Sequence, residues 1–284
     1  MQTLLAAGFP KSGNTLLGGA LQRAGQCGSD FDIYSLRSSK KLPMPNKLFP
    51  KDTFVIKTHD RWRPADDLKI CYFAPVQKLI VVIRNPFDTV LSSVNFLRFQ
   101  YANGNLKNYM STFNMFFPDG TIDDGFLEFY SLDNLKSQNL LDTALKNFAN
   151  CGTNVPSFAR MSGPWAGFAN SYKYSGLTIM NAKYEELAQL SEQSASILSA
   201  NGSRTLNELA NFLDVDSARL LQGFKSHRKT VLTQHKSGNL FFNKMCAGYW
   251  RNYFSHQACK EFVNHYAPEM IDNGYRGLVD EFYS

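Results

Sequence analysis

The feature that most constrains the fold is a strand, a glycine-bounded loop and a helix at the start of the chain. Residues 3–7 form an apolar run typical of a buried strand, and residues 8–13 are rich in Gly, Pro and Ser. Residues 15–24 then place apolar side chains on one helical face, and Gly25 is a natural helix end. Such a loop aims backbone N–H groups and the positive end of a helix dipole at one point. The sequence therefore predicts an anion-binding loop at residues 8–15.

Apolar runs predict three further buried strands, at residues 53–58, 78–83 and 177–182. Helical periodicity follows at residues 206–213 and 259–267. Another helix begins after the strand at residues 78–83, with Asn85 as N-cap and Pro86 at the first helical position. Strands that alternate with helices predict an α/β fold with a central parallel sheet flanked by helices. Functional loops in such a sheet lie at the carboxyl ends of the strands.

The loop spacing nearly matches the phosphate-binding loop of nucleotide triphosphatases, G-x-x-x-x-G-K-[ST]. Gly8, Gly13 and Thr15 fit that pattern, but Asn14 occupies the position of the lysine, and Lys11 lies inside the loop instead. A triphosphate enzyme needs its lysine beside the β- and γ-phosphates. The change argues against an ATPase or kinase, although a nucleotide kinase or other phosphotransferase of this fold remains the first alternative.

A second polar cluster, residues 57–59, ends the strand at 53–58 and contains Lys57 and His59. Histidine has an ordinary pKa near neutrality and is the side chain best suited to general base catalysis. A lone histidine is more often structural, but this one lies at a strand end beside a lysine. The pattern therefore makes His59 a candidate base.

A third polar cluster, residues 84–92, follows the strand at 78–83. Arg84 offers a planar fork of donors that suits a phosphate, and Ser92 lies two turns into the following helix. An ordinary ion pair is the alternative for the arginine, and a solvated helix position is the alternative for the serine. We expect Asp88 to cap the helix start rather than to touch a ligand.

These three segments resemble motifs of the sulfotransferases that use 3′-phosphoadenosine-5′-phosphosulfate (PAPS). Residues 10–16, Pro-Lys-Ser-Gly-Asn-Thr-Leu, resemble the family's P-K-S-G-[TN]-T-[WL] loop; residues 57–59 resemble its K-T-H; and residues 84–92 resemble its R-N-P-x-D-x-x-x-S segment. The resemblance runs from about residue 4 to 275 and implies an α/β fold of the P-loop type.

The resemblance implies a role for each matching residue. The family's first loop holds the 5′-phosphosulfate, and its counterparts here are Lys11, Ser12, Gly13, Asn14, Thr15 and Leu16. Arg84 and Ser92 would bind the 3′-phosphate, His59 would be the catalytic base, and Lys57 together with Lys11 would stabilise charge during transfer.

Two weaker matches extend the expected donor site. Tyr184 opens Tyr-Glu-Glu-Leu, which resembles a family segment whose tyrosine lies near the adenine and 3′-phosphate end. Residues 242–254 resemble F-R-K-G-x-x-G-D-W-K-N-x-F, and Lys244 is carried over as a 3′-phosphate ligand. Asn243 and Met245 depart from the family's Arg and Gly.

The resemblance implies a sulfotransferase that moves the sulfuryl group of PAPS to a small-molecule acceptor. The acceptor is expected to be an alcohol or phenol, with N-sulfation of an amine as the less favoured reaction. The product of the donor is adenosine 3′,5′-bisphosphate (PAP), and no metal ion is expected. The second alternative is a non-catalytic nucleotide-binding protein with the same fold.

The 284 residues are expected to form a single domain, residues 1–284, with an aromatic-rich insertion or cap at about 99–165. Ordinary packing of those aromatic side chains against the core is the equal alternative to a cap over a pocket. The 23 Phe and 13 Tyr also suggest an aromatic-lined acceptor site.

Composition limits the remaining possibilities. The net charge of +6 suits an anionic ligand, but the chain lacks the dense Lys/Arg run typical of nucleic-acid binding. No apolar stretch reaches the length of a membrane span. Five scattered cysteines favour a reduced, cytoplasmic protein. Ser255, His256 and Lys260 depart from the family's dimerisation motif, which argues against that dimer and leaves a monomer open.

Overall fold

The computed structural model describes residues 2–25, 31–32, 48, 53–59, 61, 76–173, 175–192, 199–236 and 247–283. Lys244, a predicted 3′-phosphate ligand, lies outside the described residues, as do Asn243 and Met245. The chain forms two compact units, Met1–Ile83 with Ala169–Gln234 and Arg84–Phe168 with His235–Ser284. The expected single domain stays a prediction.

The first unit contains a parallel sheet in the order β2-β3-β1-β4-β5. The strands are β1 Gln2–Gly8, β2 Phe31–Asp32, β3 Thr53–Thr58, β4 Val76–Ile83 and β5 Thr178–Lys183. In the central strand, Leu5 pairs with Ile56 on one side and Leu79 on the other, and all three are buried. The parallel sheet and its four predicted strands are therefore confirmed, each strand within two residues of its predicted bounds.

Helices follow the strands along the chain. They are α1 Asn14–Gly25, α2 Pro86–Ala102, α3 Met110–Phe116, α4 Phe126–Phe129, α5 Leu132–Ser137, α6 Leu140–Asn150, α7 Ala159–Ser162, α8 Trp165–Phe168, α9 Tyr184–Glu192, α10 Ala200–Leu213, α11 Ser217–Lys236, α12 His256–Asp272 and α13 Arg276–Asp280. Short 3₁₀ turns include Tyr249–Asn252. None of the described helices has both the length and the apolar character needed to cross a bilayer.

Close helix packing holds α1 in the first unit. This helix packs against β1 and β3. A Cβ at Gly223 of α11 would collide with the carbonyl oxygen of Ala20, and one at Gly19 would collide with the imidazole of His227. Both contacts therefore require glycine, and they let α11 lie directly against the helix that follows the loop.

His227 is buried in this contact, with 8% of its surface exposed, and its Nε2 has no hydrogen-bond partner among the described residues. Burial lowers its pKa from 6.5 to about 4, and the positive charges of Arg23 and Lys57 add to that effect. The folded chain therefore holds the neutral imidazole.

The second unit opens with α2, whose start matches the sequence prediction. Asn85 Oδ1 accepts a hydrogen bond from the Asp88 N–H at 2.8 Å, and Pro86 occupies the first helical position. The aromatic-rich segment at 99–165 is largely helical, as expected. A cluster of its aromatic side chains is buried, namely Phe113, Phe116, Phe117, Phe126 and Tyr130.

These rings pack on one another within the second unit. Phe126 lies 4.5 Å from Tyr130 and is stacked on Tyr101 at 4.3 Å between centroids. The neighbouring Phe129 is 40% exposed. These rings form a packed cluster within the second unit, and a cap over a pocket and ordinary core packing both stay predictions for this segment.

Acidification should destabilise the first unit through His227. Because the unfolded imidazole binds a proton near pH 6.5 and the folded one only near pH 4, stability is lost as the pH falls between these values, by up to about 1.4 kcal/mol per pH unit. Denaturant unfolding at pH 7, 6, 5 and 4 measures the slope. His227→Leu should flatten it, whereas the exposed control His265→Gln should keep it. Equal slopes for wild type and His227→Leu would contradict the prediction.

Candidate functional site

The loop between β1 and α1 has the backbone shape of an anion site. Lys11 has φ +69° and Gly13 has φ +100°, whereas Ser12 between them does not share this left-handed conformation. Alternation of this kind forms the concave nests of N–H groups that bind phosphate. The first N–H groups of α1 add to the same positive end, because they lack partners inside the helix.

The predicted ligands of the 5′-phosphosulfate alternate between two environments. Lys11, Gly13 and Thr15 are half-buried, whereas Ser12, Asn14 and Leu16 are at most 2% exposed. The Ser12 N–H is already bonded to the carbonyl of Phe9 at 2.9 Å. The half-buried residues of the loop therefore carry an ammonium, a backbone N–H and a hydroxyl, which are donors of the kind that bind phosphate.

Asn14, at the position where a triphosphatase has lysine, turns towards β3. Its Nδ2 donates to the carbonyl of Thr58 at 2.5 Å, and its Oδ1 lies against Gly8, where an added Cβ would come within 2.5 Å. The side chain is thus engaged inside the first unit. Its role in donor binding stays a prediction.

His59 follows β3 directly and is tied to the start of the loop. Its Nδ1 lies 2.6 Å from the carbonyl oxygen of Gly8. A carbonyl can only accept, so Nδ1 carries the hydrogen, and Nε2 is the nitrogen that takes up a further proton. The ring is half-buried, as is Lys57 two residues earlier on β3. Its role as a base stays a prediction.

Tyr184 begins α9 and is 6% exposed. Its ring lies directly on Gly13, where an added Cβ would collide with Cδ2 of the tyrosine. The structure therefore places this ring beside residues 11–16, and its expected position near the adenine and 3′-phosphate stays a prediction. Nothing in the local sequence signals this contact, because the two residues are far apart along the chain.

The predicted 3′-phosphate ligands belong to the second unit. Arg84 follows the last residue of β4, is half-buried, and its carbonyl accepts a hydrogen bond from Trp165 Nε1 at 2.9 Å. Ser92 is half-buried on α2. The first unit brings together residues 11–16, Lys57, His59 and Tyr184; the roles assigned to all these side chains stay predictions.

Asp88 differs from its expected role as a cap of its own helix. Its carboxylate is buried and accepts from the N–H of Gly248 at 2.9 Å and of Trp250 at 3.2 Å, as well as from Asn85 Nδ2 at 2.8 Å. Asn85 already caps α2, which leaves the carboxylate available to the turn at Tyr249–Asn252. The aspartate therefore fastens this turn to α2.

No three His, Cys, Asp or Glu side chains converge as metal ligands within the part of the chain that the structure describes. The expectation of a metal-free site stays a prediction.

The left-handed backbone of Lys11 predicts an ordering of stability between two variants. Lys11→Gly and Lys11→Ala both remove the charge, but only glycine adopts a positive φ without strain. We expect Lys11→Gly to be more stable than Lys11→Ala by about 1 kcal/mol in denaturant unfolding. The reverse order would show that residue 11 is not left-handed in the folded loop.

The contacts of Asp88 predict that its charge is needed for folding. Asp88→Asn keeps the shape but removes charge-assisted acceptance from the buried N–H of Trp250 and the part-buried N–H of Gly248, and we expect a loss of about 1–3 kcal/mol in the free energy of unfolding. Asp119→Asn changes an exposed carboxylate and is the matched control. Equal stability of the two variants would contradict the anchoring role.

The comparisons with known proteins agree with this architecture. Residues 2–274 match the model of the sulfotransferase domain. Among solved structures, the chain is similar to mouse sulfotransferase SULT7A1 complexed with PAP, with a TM-score of 0.58 and 19% identity over 100% of this chain and 89% of that chain. At this identity the likeness concerns the fold. No curated protein sequence gives a significant match.

The predicted α/β fold and the predicted family are thus both confirmed. The match covers nearly the whole chain, from β1 to the end of α12. The chain belongs to the sulfotransferase domain family.

Proposed function

We propose that the protein transfers the sulfuryl group of PAPS to the hydroxyl of a small-molecule acceptor. The observation that carries the proposal is the hydrogen bond from His59 Nδ1 to the carbonyl of Gly8. It supports His59 as the base, because it leaves Nε2 as the proton-accepting nitrogen of a ring that lies beside the predicted anion-binding loop.

The donor side rests on two sets of residues. Lys11, Gly13 and Thr15 are the proposed donors for the 5′-phosphosulfate, and Arg84 and Ser92 are the proposed donors for the 3′-phosphate, all of them half-buried. Lys244 is proposed with them on the strength of the sequence resemblance. PAP is found in the structure of the mouse protein, which supports the same nucleotide here.

The proposed chemistry is positioning combined with electrostatics. As the acceptor oxygen bonds to sulfur and the bond from sulfur to the bridging phosphate oxygen breaks, His59 Nε2 takes the acceptor proton. Lys11 and Lys57 stabilise the charge that develops on the leaving phosphate. A general base contributes about 10²–10⁴-fold to such a rate, and each fixed donor about 10²–10³-fold.

Phenols are the acceptors that suit this base best. A phenol loses its proton near pH 10, as tyrosine does, so transfer to an imidazole is less unfavourable than from an aliphatic alcohol. Aliphatic alcohols and amines are the other acceptor classes to assay with PAPS.

The rival function is phosphoryl transfer from a nucleoside triphosphate. Asn14 argues against it, because the residue at the position of the required lysine is neutral and its amide is bonded to Thr58.

Calorimetric titration with PAP tests the donor site, with ADP as control and without added metal. PAP should bind at least tenfold more tightly than ADP, since only PAP carries the 3′-phosphate. His59→Ala should keep PAP affinity within about twofold and lose at least 10²-fold in turnover of PAPS with a phenol. The exposed control His265→Ala should keep both. Equal binding of ADP would favour the phosphotransferase, and near-normal turnover of His59→Ala would remove the base assignment.

A further inference from the structure

The side chain of Asn14 links the helix after the phosphate loop to the end of β3. It is 1% exposed, and its amide nitrogen donates to the carbonyl of Thr58, which is also fully buried. That carbonyl belongs to the planar peptide group that joins Thr58 to His59. The hydrogen bond therefore fixes the orientation of the peptide from which His59 projects.

A second hydrogen bond joins the residue after β3 to the other end of the loop. Here His59 donates from Nδ1 to the carbonyl of Gly8, at the end of β1. The parallel pairing of Ala7 with Thr58 brings the two strand ends level. The imidazole is thus held at its backbone by Asn14 and at its ring by Gly8.

Stability alone does not account for an asparagine at this position. Its Oδ1 is buried and has no hydrogen-bond partner among the described residues. An unsatisfied buried acceptor costs about 1–3 kcal/mol. It also presses against Gly8, where any side chain would collide. Asn14 keeps its hydrogen bond to the Thr58 carbonyl in spite of the cost of the unsatisfied Oδ1. This combination indicates that the hydrogen bond has a function besides stability.

We propose that Asn14 is a positioning residue for His59, and that its side chain is not a ligand of the donor. The proposal rests on the proposed function, in which His59 is the base. It separates Asn14 from its neighbour Thr15, which is half-buried at the same helix start.

Asn14→Ala and Thr15→Ala form a matched pair for the test. Asn14→Ala should lower kcat with PAPS and a phenol by about tenfold or more, because small displacements of a catalytic group have such effects. Its Kd for PAP should stay within about threefold of wild type. Thr15→Ala should instead raise the Kd for PAP. A tenfold or greater rise in Kd for Asn14→Ala, with kcat retained, would make the side chain a donor ligand and overturn the proposal.

The double variant Asn14→Ala/His59→Ala shows whether Asn14 acts through the histidine. If it does, adding Asn14→Ala to His59→Ala causes no further loss of kcat. An equal loss in both backgrounds would mean that Asn14 acts independently of His59 and would overturn the proposal.

A spectroscopic measurement keeps this test independent of turnover. In ¹⁵N NMR of the imidazole, the wild-type chain should show His59 with the hydrogen on Nδ1, and Asn14→Ala should show a mixture of tautomers. An unchanged tautomer would overturn the positioning role, whatever the activity of His59→Ala. If Asn14→Ala does not fold, Asn14→Leu, which keeps most of the volume but has no hydrogen-bond donor, takes its place with the same expected outcomes.

Discussion

The parallel pairing of β1 with β3 is the constraint on which the candidate site depends. The register that sets Ala7 opposite Thr58 ends both strands at one level, so the phosphate loop and His59 begin next to each other. Two hydrogen bonds, from Asn14 to Thr58 and from His59 to Gly8, then cross between the strand ends. A shift of this register would separate His59 from the loop and reverse the faces of the β3 side chains.

Glycines make close contacts possible around the candidate site, because they have no side chain. Gly8 leaves room for the amide of Asn14, and Gly13 leaves room for the ring of Tyr184. Gly19 and Gly223 allow α11 to lie against α1. The loop is therefore surrounded at close range, and such support limits the conformations open to it.

The strands, the loop and the cap at Asn85 were predictable because each depends on a short run of sequence. Apolar runs mark strands that are buried on both faces, and an Asn-Pro pair marks a helix start. The contacts of Asn14, Asp88 and Tyr184 were not predictable in this way. Asp88 meets Gly248, 160 residues further along the chain, and local patterns carry no record of such pairings. For the aromatic segment, composition left a cap and ordinary core packing open, and the burial of its rings within the second unit is compatible with both.

The strand order also governs how the chain can fold. β1 is synthesised first and lies in the middle of the sheet, yet its partners β3 and β4 follow about 50 and 75 residues later. Its backbone and apolar side chains remain unpaired until those segments have emerged from the ribosome. Nucleation must therefore close long loops, which makes folding slow and leaves a β-prone segment exposed to aggregation during synthesis.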